Sequence, residues 1–444
     1  MTVRIFHASS WEAVVLLAAA IDAGCFTGPD RRILLLSRTG PAPEAVPDIS
    51  ETAGFERLRG RFDEVRPWND AIAPFHPAGW LPRADDAPLW ERHFRRAWSL
   101  GEEELELVVD SPHAGPARAL TRVFAGVPVD VYAEGPGGYG PTGEKLPPLI
   151  GARTRRLLHP DLIPGVRPLL LGEFGVEVRA VPSAEIAKVV GELADSVVES
   201  PLVEAQVLLL GQDLAGRELI PASEQDGLHR DMVRGAAALG HTRMLYAPDP
   251  DAPWEHPAAL AAEADRLGVE LTVLEPGSPV PAGALPHRLR PALVVGCTAT
   301  ALFWAARFHG LPVASVGTEL LLERVTPYEN GERTPATLAD ATLPPLADGT
   351  AVTDQLPFTE QELSDLLAAV AFAMRPRVRP DLRPAAERYL AAHLDGRTWR
   401  YFKRRRLASL ALPGVVPARL AFLRSRPTLL RVARRARAVR SGRG

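Results

Sequence analysis

One stretch of this 444-residue chain carries the residue types that chemistry needs. VYAEGPGGYGPTGEK, residues 131–145, places a lone carboxylate, Glu134, where an apolar run ends and glycines begin. A carboxylate there can take a proton from an attacking hydroxyl. The same stretch also contains a literal G-x-G-x-x-G, at Gly135, Gly137 and Gly140, and comes within one residue of a phosphate-cradling loop. A dinucleotide site needs a strand before the glycines and a helix after them, so that the helix N-terminus can hold the pyrophosphate. The strand is present, but Pro141, Gly143, Pro147 and Pro148 exclude the helix. The triphosphate loop fails as well, because Gly138–Lys145 ends in Gly-Glu-Lys and Leu146 stands where a hydroxyl is required. The third reading treats the glycines as room for a bulky polar substrate beside the acid. On residue type alone, Glu134 could equally be a solvated loop acid.

A second set lies further along. Gly296-Cys297-Thr298-Ala299-Thr300 follows an apolar run and opens a helical pattern. Backbone N–H groups and two hydroxyls at a helix start suit a phosphate, and a threonine N-cap is the simpler alternative. Gly211 and Gln212 end another apolar run. Asp249-Pro250-Asp251 offers two carboxylates to a hard cation, but the rigid proline between them fits a plain turn, and no metal is expected.

The elements that must position these residues alternate. Strands are expected at Val3–Phe6, Arg32–Ser37, Leu105–Val109 and Val127–Tyr132, with a helix over Val14–Ile21 behind the capping pattern Ser9-x-x-Glu12. Leu146–Gly175, rich in proline and glycine, reads as a connector. A second alternation follows, with strands at Val207–Leu210, Thr242–Tyr246, Val269–Leu274, Leu293–Val295 and Val313–Val316. Helices lie between them, and a capping box at Thr359-x-x-Glu362 opens a further helix. Strands alternating with helices imply parallel sheets.

Composition excludes several classes. Two cysteines, Cys25 and Cys297, with no C-x-x-C, fit a reducing compartment and argue against disulfides or zinc. No secretory signal is visible at the N-terminus, and the apolar runs are too short to span a bilayer. The net charge is −3, yet Arg397–Arg443 holds 15 Lys/Arg and no acid, which leaves −18 for the rest. Arginine interleaved with Leu, Val, Phe and Trp in that tail favours an anionic membrane over nucleic acid.

The chain resembles the bacterial alpha-2,8-polysialyltransferase-like family. The resemblance lies in IFHASSWEAVVLLAAAIDAG, VYAEGPGGYGPT, DLIPGVRPLLL, LLLGQDL, MLYAPDP and VVGCTATALFWAARFHGLPVASVG, in order over roughly residues 3–320. It implies an α/β fold of two Rossmann-like domains facing across a cleft (GT-B type). The expected domains are 1–180 for the acceptor, 181–385 for the nucleotide sugar, and a basic helical tail at 386–444. It further implies transfer of sialic acid or a related nonulosonic acid from a CMP-activated donor to a surface glycan, with inversion and without a metal or cofactor. The protein would sit in the cytoplasm at the inner face of the membrane, held there by the 397–443 tail, and would bind no nucleic acid. On this reading Glu134 is the base and Asp249 stands on the leaving-group side. Ser10, Gly135, Tyr139, Gly211, Gln212, Gly296, Thr298 and Thr300 line the substrates.

Two positions depart from the family pattern. Ala133-Glu134-Gly135 lacks one acid of the acidic–acidic–Gly motif. Tyr246-Ala247-Pro248-Asp249-Pro250 stands where Tyr-Lys-Pro-His-Pro is expected. His256 is the one histidine near enough to substitute, and His241 should lie at the far side of the sheet. A degenerate relative that binds a nucleotide or glycan without turnover is the alternative.

Overall fold

The computed structural model describes residues 2–28, 31–143, 146–196, 205–249, 252, 257–275, 282–346 and 358–414. Two all-parallel sheets form its frame. The first contains β1 (Thr2–Ala8), β2 (Arg31–Leu36), β3 (Glu64–Pro67), β4 (Glu104–Val109), β5 (Val129–Tyr132), β6 (Thr154–Pro160) and β7 (Glu177–Val181). Its order is β3-β2-β1-β4-β5-β6-β7. The second contains β8 (Val207–Leu210), β9 (Arg243–Ala247), β10 (Glu270–Val273), β11 (Leu293–Gly296) and β12 (Val313–Ser315), in the order β10-β9-β8-β11-β12. Near-continuous apolar strands such as ILLL in β2 and LVV in β11 are buried on both faces, as helices on both sides of a parallel sheet require. These are two Rossmann-like domains.

The chain order reverses at one point in each sheet. In the first it reverses between β1 and β4, in the second between β8 and β11. At such a point the connecting helices diverge to opposite faces and open a crevice beyond the strand ends. Ser10 and Asp110 follow β1 and β4, while Gln212 and Thr298 follow β8 and β11.

Three expectations are corrected. The segment Leu146–Gly175 is more than a connector, because it contains β6, an interior strand. The two arginines of β6, Arg155 and Arg156, disguise it, since both pair with the buried Asp130 of β5 at 2.9 and 2.7 Å. The first helix, Trp11–Asp22, is capped by Ser10, whose Oγ accepts from the Ala13 N–H at 3.0 Å, so the cap falls one residue later than the Ser9 pattern. The Thr359–Glu362 capping box is present as expected.

The third correction concerns the tail. Residues Arg383–His393 and Arg404–Leu410 are helices packed on the body, with Tyr401, Phe402 and Leu407 buried. Arg406 donates to the Ala373 and Met374 carbonyls at 2.6 and 2.9 Å, closing the helix Glu360–Met374 where its own carbonyls lack partners. Lys403 donates to the Glu323 carbonyl, and Arg400 pairs with Glu319. These cations hold the fold together. Residues 415–444, with the basic residues of the tail beyond Arg406, lie outside the described ones, as do Pro250, Asp251 and His256. No helix among the described residues is long and apolar enough to cross a membrane.

The helix Ser183–Ser196 packs on Trp11–Asp22 of the first domain and also on Leu285–Leu289 and Thr300–His309 of the second. It therefore contacts both halves.

Candidate active site

Glu134 stands two residues beyond β5, at the carboxyl end of the first sheet. It is part-buried, and Ser10 Oγ donates to its Oε1 at 3.4 Å. Burial pushes its carboxyl up to about 7, with the negative charges of Asp110 and Glu12 adding to the rise. Its own backbone N–H and the Ser10 hydroxyl only partly offset this. A carboxylate poised near neutrality is what a general base requires.

The glycines after Glu134 serve a different purpose from the expected one. A Cβ on Gly135 would lie 2.5 Å from Thr300 Oγ1, so the room there admits the start of the second domain's helix Thr300–His309. Gly140 gives the same close approach to Thr334. The loop is thus a domain contact as well as the platform for the acid. Trp304, on the same helix as Thr300, seals it by donating from Nε1 to the Glu134 carbonyl at 3.0 Å. Tyr139 is corrected outright: it is 2% exposed in the core, and its hydroxyl accepts from the Ile163 N–H at 3.0 Å.

The second sheet presents its own set. Gln212, beyond β8, accepts from the Thr298 N–H at 2.6 Å and donates Nε2 to Thr298 Oγ1 at 3.1 Å. The side-chain amide spans the reversal point of the sheet and takes the N–H that sequence reasoning offered to a phosphate. The helix N-cap is Ala299, without a side-chain cap, so no threonine caps it. Gly211 is also a packing position, since any side chain would meet the Tyr246 hydroxyl and the Pro248 backbone. Gly296 ends β11, with ordinary contact to Leu210 and Leu302.

Asp249 pairs with Arg217 at 2.9 Å and accepts from the Asp213 N–H at 3.1 Å. Burial, the chief cause, and Asp249 raise the carboxyl of Glu332, while Arg217 acts against the rise. Glu332 also helps burial to push the Cys297 thiol up to about 12, which leaves that thiol inert. A cation thus stands beside the acid that replaces the expected histidine. His241 lies at the other end, before β9, lining a shallow 370 Å³ pocket with Arg234, Thr242 and Val269.

Sequence reasoning missed Asp110, His7, Arg217 and Trp304. The rule that singled out Glu134, an acid just past a strand, applies equally to Asp110 after Leu105–Val109. Nothing in the sequence around Arg217 distinguishes it from the other arginines.

The alpha-2,8-polysialyltransferase (POLYST) family pattern matches residues 4–318, so both sheet reversal points fall within the match. The chain belongs to this family. Its members are glycosyltransferases, so a nucleotide-sugar donor and a glycan acceptor are their general partners. None of the curated proteins compared matches the chain. Among solved structures, Phytolacca americana UGT2 complexed with UDP-2fluoro-glucose and pterostilbene is 12% identical, with 93% of this chain and 99% of that one covered and a TM-score of 0.41. The O-GlcNAc transferase of Thermobaculum terrenum is 15% identical, with 91% and 67% covered and a TM-score of 0.36. A ugt transferase from Siraitia grosvenorii in complex with UDP is 11% identical, with 91% and 99% covered and a TM-score of 0.38.

Proposed function

We propose that this polysialyltransferase-family chain transfers sialic acid or a related nonulosonic acid from a CMP-activated donor to a surface-glycan acceptor, with inversion and without a metal. The observation that carries the reading is Glu134, its carboxyl raised to about 7 and its backbone carbonyl held by Trp304 of the second domain. The acceptor hydroxyl attacks the anomeric carbon as Glu134 takes its proton. The new C–O bond forms on one face while the bond to phosphate breaks on the other, and CMP leaves with the electron pair. Arg217 is the cation beside the expected leaving group, in place of the absent lysine and histidine. The reading also keeps the anionic membrane as the partner of the tail beyond residue 414, at the cytoplasmic face.

The test is CMP release from CMP-sialic acid in the presence of glycan acceptors. Glu134→Gln should reduce it by about 10²-fold or more. Tight CMP binding with no release, the same in both proteins, supports the second reading, a binding protein without turnover. The pairing of Asp249 with Arg217 favours that alternative, because it occupies the one cation identified for the donor phosphate.

A further inference from the structure

The family pattern expects two adjacent acids, and the chain has Ala133-Glu134. The structure brings a second acid from elsewhere. Asp110 follows β4, the strand beside β5, and Val109 of β4 is in register with Val131 of β5. Asp110 and Glu134 therefore leave the same edge of the sheet on neighbouring strands. Ser10 arrives from β1 on the other side of β4 and donates to Glu134. The Tyr132 hydroxyl ties the end of β5 to the end of β1 by donating to the His7 carbonyl at 2.8 Å.

Asp110 has a partner of its own. His7 Nδ1 lies 3.5 Å from Asp110 Oδ1, and His7 Nε2 is 2.8 Å from Ser37 Oγ. His7 is fully buried, and neither its Nδ1 nor Asp110 Oδ1 has another hydrogen-bond partner. Ser37 is itself only 2% exposed, so the chain Ser37–His7–Asp110 is not a nucleophile relay open to substrate. It fixes the imidazole and aims it at the carboxylate.

We propose that Asp110, oriented by the Ser37–His7 pair, supplies from the neighbouring strand the second carboxylate that position 133 lacks, and acts as the positioning residue for Glu134. The inference rests on the reading of Glu134 as the base. Two carboxylates at one site cannot both ionise freely, so the one with a fixed partner stays charged and the other holds its proton to higher pH. Burial opposes the charge on Asp110, but His7 and local backbone N–H groups keep its carboxyl below the usual range. The groups facing Glu134 are Asp110 from β4, Glu12 and Ser10 from the first helix and its cap, and the Tyr132 phenol from β5. Thr300 and Trp304 approach the loop from the second domain. Of the charged groups acting on Glu134, Asp110 contributes more than Glu12.

The test reads Glu134 without turnover, so that failure of the inference and failure of the proposed reaction are separable. The full chain, labelled with carboxyl ¹³C-glutamate, is titrated by NMR, with Glu134→Gln assigning the signal. Asp110→Asn should lower the Glu134 midpoint, raising its acidity about ten-fold, which is one unit. Glu12→Gln should lower it less, and Ala133→Asp in the Asp110→Asn background should restore it. In a CMP-release assay the acid limb of the pH profile should move with the midpoint, while the donor KM stays unchanged. An unmoved Glu134 midpoint in Asp110→Asn overturns the proposal. Asp110→Ser, smaller and still polar, is read in the same way where the Asn variant fails to fold. A midpoint that moves in a protein releasing no CMP keeps this inference and removes the proposed reaction.

Discussion

Trp304 Nε1 donates a 3.0 Å hydrogen bond to the backbone carbonyl of Glu134, so a helix of the second domain grips the loop that carries the candidate base of the first. Both partners belong to the joint between the halves, and Trp304 is 1% exposed. Trp304→Phe keeps most of the apolar contact and removes the donor. It should cost about 1–3 kcal/mol, the usual penalty for stranding a buried polar group. Urea unfolding measures it, and a midpoint equal to that of the native chain would show the bond to be idle.

The approach of Thr300 to Gly135 predicts a non-additive pair. Gly135 has an extended backbone, so alanine there meets no conformational strain, only the Thr300 hydroxyl 2.5 Å away. Gly135→Ala alone should destabilise by about 1–3 kcal/mol through overpacking. Thr300→Ala removes Oγ1, and the double variant should recover most of the loss. Strict additivity in thermal or denaturant unfolding would mean that the domains part at this point in solution.

Glu134 sets a pH dependence whose sign is fixed. Its carboxyl titrates near 7 in the folded chain against about 4.5 as the ordinary value, so between these limits the folded chain holds the extra proton. Stability contributed by this residue is present below about 4.5 and falls as pH rises toward 7. Glu134→Gln, which cannot ionise, should therefore gain stability relative to the native chain across that window. Parallel stability curves for the two proteins from pH 4.5 to 7 would contradict the raised value.

Gln212 is predicted to matter for stability before binding. Thr298 is buried, and Gln212→Ala strips its N–H of the acceptor 2.6 Å away. A loss of about 1–3 kcal/mol is expected, together with faster amide exchange at Thr298. Unchanged exchange would place another acceptor there.

Arg217 and Asp249 make opposite predictions for the nucleotide. Removing the negative charge with Asp249→Asn keeps an acceptor for the Asp213 N–H and releases Arg217. It should tighten CMP binding about ten-fold, while Arg217→Ala should weaken it by a similar factor. Calorimetry reads both. If Arg217→Ala leaves the affinity unchanged, the phosphate sits elsewhere.

The sequence revealed those elements whose local signals agreed with their place in the fold. Apolar strands such as Val207–Leu210 and the capping box at Thr359 needed no tertiary knowledge. The strand β6 escaped because its outward arginines answer Asp130, a partner 25 and 26 residues away, and that compensation has no local signature. The glycines of 135–140 were visible, but what approaches them was not. A missing side chain reveals that something comes close, not whether it is a substrate or another part of the protein. The same limit hid Asp110, which becomes a partner of Glu134 only when β4 and β5 lie side by side.

One further bond bears on how such a chain must be built. Arg379 Nη1 donates to the Leu169 carbonyl at 3.0 Å, and Gly172 leaves the space through which that guanidinium reaches it. The first half therefore waits for a segment made 210 residues later to complete a contact on its own surface. During synthesis a ribosome must pass residue 379 before this clasp can close. Until then the Leu169 carbonyl on the amino-terminal half lacks the donor that the finished chain supplies.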